Sequence, residues 1–103
     1  MIQYNVWFSF RRGIDAATEL TRVRALLEDF KSRDMIAGYS MLRNRGQGDK
    51  TRMPPFQVII EFCDDRQFGL PFAEVAGIGV HGGTHGAMIE NVEEFVVEVF
   101  ETS

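Results

Sequence analysis

The chain has 103 residues, 45% of them apolar and 25% charged. That is the balance of one soluble globular domain over 1–103, not of a disordered or collagen-like chain. Eleven Lys+Arg against fifteen Asp+Glu give a net charge of -4, which argues against a nucleic-acid binder, and no apolar run approaches the ~18 residues that a membrane span needs. One cysteine cannot form an internal disulfide, and Met1-Ile2-Gln3-Tyr4 lacks the basic start of a signal peptide. A reducing, cytoplasmic setting is therefore expected.

Residues 2–10 alternate: Ile2, Tyr4, Val6, Phe8 and Phe10 fall on one face, and Gln3, Asn5, Trp7 and Ser9 on the other. Period two with aromatic and β-branched residues predicts a strand. Asp15 is a good N-cap. Leu20, Val23, Leu27 and Phe30 then recur at helical spacing, which predicts a helix over 16–32. A second strand is expected over 36–45, with Tyr39, Met41 and Arg43 on one face. A Gly- and Pro-punctuated loop follows over 46–55. The third strand, 56–63, has a wholly apolar face of Phe56, Val58, Ile60 and Phe62.

Asp64 and Asp65 can cap a second helix, but Pro71 removes a hydrogen bond if it lies deep inside one. The pattern therefore predicts an irregular turn, with the helix proper starting near Leu70 and Pro71 in its first turn. Five glycines over 77–87 read as a loop. The tail fits two patterns. Met88, Ile89, Val92, Val96 and Val99 make a helical stripe, yet 95–100 is rich in strand formers. A helix there would also carry glutamates with no cation to pair them. A short helix near 84–91 and a last strand over 93–101 are expected.

The order βαββαβ, with right-handed crossovers, gives a four-stranded antiparallel sheet with two main helices on one face. This is the α+β, ferredoxin-like arrangement. Two helices cover one face only. The other face, with Gln3, Asn5, Trp7, Gln57, Ile59 and Glu61, is too aromatic to be simply wet and too polar to be a core. A homodimer stacking open face on open face would cover it and leave a semi-polar, small-molecule chamber.

The segments Tyr4-Asn5-Val6-Trp7-Phe8, Ile36-Ala37-Gly38-Tyr39, Phe56-Gln57-Val58-Ile59-Ile60-Glu61 and Phe72-Ala73-Glu74-Val75-Ala76, with the later His85, resemble a family of short, uncharacterised bacterial proteins. That family is placed in the dimeric α/β-barrel superfamily. The resemblance implies fold and dimerisation. It implies no single activity, because the superfamily mixes cofactor-free monooxygenases, haem-degrading enzymes, isomerases, lyases and proteins without a known reaction. The haem-degrading and antibiotic-biosynthesis relatives use an Asn, a Trp and a His around their substrates. Asn5, Trp7 and His85 supply those residue types here. Haem binding is a third possibility beside an enzyme and a binding module, although no cofactor is expected.

The candidate catalytic residues are His85, Asn5 and Glu61: an imidazole titrating near neutrality, an amide that can orient an oxygen, and a carboxylate in mid-strand. Glu61 is read as a proton-transfer group or as half of an ion pair with Arg43. The candidate substrate contacts are Trp7, Tyr4, Tyr39, Arg43 and His81. Each also has a plainer reading. Trp7 is a dimer anchor, the tyrosines are core aromatics with a polar tip, and the basic stretch of Arg43, Arg45, Lys50 and Arg52 is a solvated loop that can also meet a neighbour's acidic last strand. His81 and His85 are four apart, but Gly82-Gly83 argues against a helix holding both on one metal, so no metal site is expected. Gly77-Ile78-Gly79-Val80-His81-Gly82 matches a dinucleotide-binding pattern in letters only, since it follows a helix in an antiparallel fold. Cys63, followed by two aspartates, is read as an unreactive, small buried hydrophobe.

Overall fold

A computed structural model describes residues 1–45, 53–78 and 91–102, with side chains up to Pro71 in the middle segment. The elements are β1 (Ile2–Phe10), α1 (Ala16–Ser32), β2 (Gly38–Arg43), β3 (Phe56–Phe62), α2 (Asp65–Ile78) and β4 (Val92–Glu101). The strands form one antiparallel sheet in the order β2-β3-β1-β4. No helix among the described residues is long and apolar enough to cross a membrane.

Alternation on β1 sets the whole architecture. Tyr4 lies opposite Ile60, Val6 opposite Val58 and Phe8 opposite Phe56, so the apolar halves of β1 and β3 coincide on one side. Leu27 and Phe30 of α1 join Ile2, Phe8, Val58 and Phe62 of that side in the buried core. From α2, Phe68 meets the Phe62 ring edge-on at 5.1 Å and the Tyr4 ring at 6.4 Å. Both helices therefore lie on the same face, as the βαββαβ order requires.

The cap of α1 behaves as its chemistry predicts. Asp15 accepts from the Ala17 backbone N–H at 3.2 Å and from the Thr18 hydroxyl at 2.7 Å. After the helix, Asp34 takes a left-handed conformation, φ +58°, the position that glycine usually fills when a helix ends. The α1 flank buries one carboxylate, Glu19, whose Oε1 lies 3.4 Å from the Arg22 guanidinium.

Three expectations are corrected. First, α2 begins at Asp65, not near Leu70, and carries Pro71 inside it. Asp64 explains this, because its carboxylate accepts from the Gln67 N–H at 2.8 Å and its carbonyl from the Phe68 N–H at 3.0 Å. The Gln67 side chain then accepts from the Cys63 N–H at 2.6 Å and donates to the Asp34 carbonyl at 3.2 Å. This start is bonded firmly enough to carry one missing N–H a turn later. Second, Cys63 is exposed, not buried: it lies just past the end of β3 at Phe62, outside the sheet's core positions. Third, α2 runs through Gly77 and Ile78, where a loop was expected. The rest of the glycine-rich loop, and almost all of the short helix expected near 84–91, lie outside the described residues. The tail is a strand, paired along β1 from Ile2–Glu101 to Phe10–Val92 with an irregularity between Ser9 and Phe10.

Candidate functional site: the open face of the sheet

The side of the sheet away from the helices is built by register. Gln3 lies between Glu61 on β3 and Phe100 on β4. Asn5 lies between Ile59 and Glu98, and Trp7 between Gln57 and Val96. β2 adds Gly38 beside Glu61, Ser40 beside Ile59 and Leu42 beside Gln57. Asn5 is thus the centre of the face. It is only 4% exposed although neither helix covers it. The reason is size: its cross-strand neighbours and the flanking Gln3 and Trp7 are all larger, so they shield it. The Gln57 amide reaches back diagonally and donates to Asn5 Oδ1 at 3.0 Å.

Around that polar centre the face is apolar at its margins. Leu42, Val96 and Phe100 are exposed there, Phe100 by 52%, while Trp7 and Ile59 are half-buried. The charged groups on this face are the carboxylates Glu61, Glu94 and Glu98. Among the described residues it carries no Lys, Arg or His. Chemically the arrangement offers a flat indole, a pair of amides with fixed polarity, and carboxylates. Such a surface suits neutral or cationic ligands and disfavours anionic ones.

The structure brings Asn5, Trp7 and Glu61 to one face and separates them from the other candidates. Tyr4 and Tyr39 both lie opposite Ile60, on the helix side. Burial raises the Tyr4 phenol above its ordinary pKa. Tyr39 donates to Glu28 of α1 at 2.5 Å, and this hydrogen bond raises its pKa, with lesser contributions from burial and from the charge of Glu28. Arg43 does not partner Glu61. It lies opposite Phe56 on the helix side, whereas Glu61 lies opposite Gly38, five residues away, about 17 Å along a strand. His81 and His85 lie outside the described residues. Among the described residues no cluster of three metal-ligating side chains occurs. A recess along α1, lined by Arg22, Ala25, Leu26 and Asp29, is on the opposite layer from these residues.

The sequence reasoning missed the contribution of β4. In Phe95-Val96-Val97-Glu98-Val99-Phe100 both alternating sets carry large apolar residues, and only Glu98 distinguishes them, so periodicity is a weak guide to which set lies beside Asn5. The pairing with β1 does: Val96, Glu98 and Phe100 share the open face, and Phe95, Val97 and Val99 the helix side.

Solved structures resemble the chain in fold at low sequence identity. A hypothetical Arabidopsis thaliana protein superposes with a TM-score of 0.74 at 7% identity, covering 99% of this chain and 88% of its own. A dimeric ferredoxin-like protein of unknown function from Jannaschia sp. CCS1 has a TM-score of 0.69 at 14% identity, covering 98% of both chains. A hydroxynitrile lyase from Passiflora edulis has a TM-score of 0.64 at 10% identity, covering 96% of this chain and 90% of its own. These likenesses establish the ferredoxin-like α+β fold. No curated protein matches the chain. The family profile that does match spans residues 1–102, and by it the chain belongs to DUF6614, a family of unknown function.

Proposed function

We propose that two copies of the chain stack open face on open face and enclose a chamber that binds a small molecule. One observation carries this reading: the uncovered face holds a buried, oriented amide, Asn5, beside a half-buried indole and inside an apolar margin. A monomer gains nothing by exposing Leu42, Val96 and Phe100 around such a centre. Apposed apolar margins exclude water from the rim, while the amides and Glu61 keep the interior polar. Trp7 stacks on the ligand, Asn5 orients a ligand oxygen or donor, and Glu61 takes a hydrogen-bond donor or a cation. The dimeric description of a neighbour of the same fold supports the two-fold stack.

A second reading adds catalysis: a proton shift or a cofactor-free oxygenation in the same chamber, with His85 moving the proton beside Asn5 and Glu61. What favours it is that one neighbour of this fold is a lyase. The part of His85 rests on the sequence alone.

Native mass spectrometry of untagged protein, purified without added ligand, tests the first reading. A dimer carrying a small adduct supports it and gives the ligand's mass. A monomer at micromolar concentration sinks it. For the second reading, His85→Ala should keep the fold and abolish consumption of that ligand. Unchanged turnover removes His85 from the chemistry.

A further inference from the structure

The described part of the open face carries charge of one sign only. Glu61, Glu94 and Glu98 lie on it, and among the described residues no Lys, Arg or His does. Arg43 does not compensate them, because it lies on the helix side. Stacking two such faces brings three carboxylates from each copy into one partly desolvated space. Like charges enclosed in this way repel, and a counter-ion among them is favoured. A chamber of this kind selects its occupant by sign.

The register says where that occupant sits. Trp7 lies opposite Val96 on β4, so Glu94 and Glu98, two residues to either side of Val96, are its diagonal neighbours. Diagonal neighbours on one face are about 7–8 Å apart, within reach of an aromatic ring and a long side chain. Both glutamates are exposed, and Trp7 is half-buried. An indole flanked by carboxylates suits an organic ammonium group: the ring attracts the cation through its quadrupole, and the carboxylates supply the opposite charge. The two glutamates start about 14 Å apart along β4, and no cluster of three metal-ligating side chains occurs among the described residues. The seat therefore fits a broad organic cation better than a metal ion.

An independent feature points to the same place. Asn5 lies directly opposite Glu98, one step along the face from Trp7. Its Oδ1 accepts from Gln57 at 3.0 Å, which leaves the Nδ2 hydrogens to donate. Asn5 is 4% exposed, and no described residue accepts from that nitrogen. A buried donor without an acceptor is costly, and a ligand oxygen close to the ammonium group satisfies it. We infer that the chamber's ligand is an organic cation, an amine or quaternary ammonium compound with a neutral oxygen. Its charged group lies over Trp7 between Glu94 and Glu98, and its oxygen accepts from Asn5 Nδ2. The inference rests on the face-to-face reading above and narrows that reading's small molecule to one chemical class.

Trp7 is the chain's only tryptophan, so its fluorescence reports on the seat directly. Three probes titrated at low salt separate charge, oxygen and shape: choline, tetramethylammonium, which lacks the oxygen, and 3,3-dimethylbutanol, which has carbon in place of the charged nitrogen. Choline should change the emission saturably. The neutral isostere should bind roughly tenfold or more weakly, and tetramethylammonium about fivefold more weakly. E94Q/E98Q keeps side-chain size and removes the charge. It should weaken choline roughly tenfold and leave the neutral isostere unchanged. Circular dichroism confirms that the variant is folded, and sedimentation equilibrium gives the oligomeric state of both proteins. No saturable change with choline, equal binding of choline and its isostere, or an E94Q/E98Q protein that binds choline as tightly as the wild type overturns the organic cation; with a dimeric wild type, the stack still stands. Tetramethylammonium binding as well as choline overturns the oxygen contact to Asn5. A monomeric wild type overturns the face-to-face reading and this one with it.

Discussion

The two faces of the sheet are built from the same four strands and solve different problems. On the helix side every inward position of β1 and β3 is apolar or aromatic, and the chain's own helices cover it. On the open side the most buried position is an asparagine, and the most exposed ones include a leucine, a valine and a phenylalanine. The inversion is the lesson. A face evolved only to meet water would expose Asn5 and hide Phe100. One that meets another surface puts its polar group at the centre and its apolar groups at the rim.

The largest expected effect tests that contrast directly. Phe62 is 1% exposed in the helix-side core, so Phe62→Ala should cost about 3–5 kcal/mol. Phe100→Ala should change the stability of the isolated chain by only about 0.5 kcal/mol or less, while weakening association. Urea denaturation at concentrations above and below the dimer Kd separates the two. Equal costs in the dilute regime would erase the distinction between the faces.

A middle-sized effect probes the centre of the open face. Gln57→Leu removes the donor to the buried Asn5 Oδ1 and should cost about 1–3 kcal/mol. Adding Asn5→Leu should return most of that loss, because no buried polar group is then left unpaired. A double-mutant cycle by urea denaturation measures the coupling, and additive losses would mean that the two amides do not act as a pair.

Legibility in the sequence divides along the same line. The bounds of β1 and α1 follow from alternation and from Asp15, because both signals are local. The start of α2 was hidden: Pro71 is visible in sequence, but the Gln67 bonds to Cys63 and Asp34 that brace the helix start are tertiary. Alternation also placed Asn5, Trp7 and Glu61 together correctly. It could not say at what height Arg43 lies, since pairing between β2 and β3 depends on the length and path of the long connection. The role of β4 on the open face was hidden for a third reason, since both of its alternating sets mix large apolar residues with glutamates.

Smaller effects concern the helical layer. Asp15 has a lowered pKa, first because the Thr18 hydroxyl donates to it, with backbone donors adding to this and partial desolvation opposing it. A lowered folded-state value means that the cap's contribution is complete above the ordinary carboxylate value of 3.8 and is lost as pH falls through the folded value. Asp15→Ala should therefore lower Tm by a few degrees at pH 7 and by less at pH 3, read by thermal melts. The least effect is at Tyr39, whose phenol is raised by its bond to Glu28. Its folded pKa lies above the ordinary value of 10, so that contribution is present below pH 10 and fades as pH rises through the folded value. Glu28→Gln should bring the Tyr39 titration, followed by ultraviolet absorbance, back toward 10. An unchanged titration would detach α1 from β2 at this point.

The pairing of β1 with β4 has a consequence for the order of folding. Every residue pair in that ladder, from Phe10–Val92 to Ile2–Glu101, joins points roughly eighty to a hundred residues apart in the chain. Closing so long a loop is entropically late, so β1 waits through most of folding with one side bare. The strand that finally docks there also supplies Val96, Glu98 and Phe100 to the open face that a second copy is proposed to cover. Docking of β4 and assembly then become one linked equilibrium, and backbone amide exchange in β4 should slow as protein concentration rises.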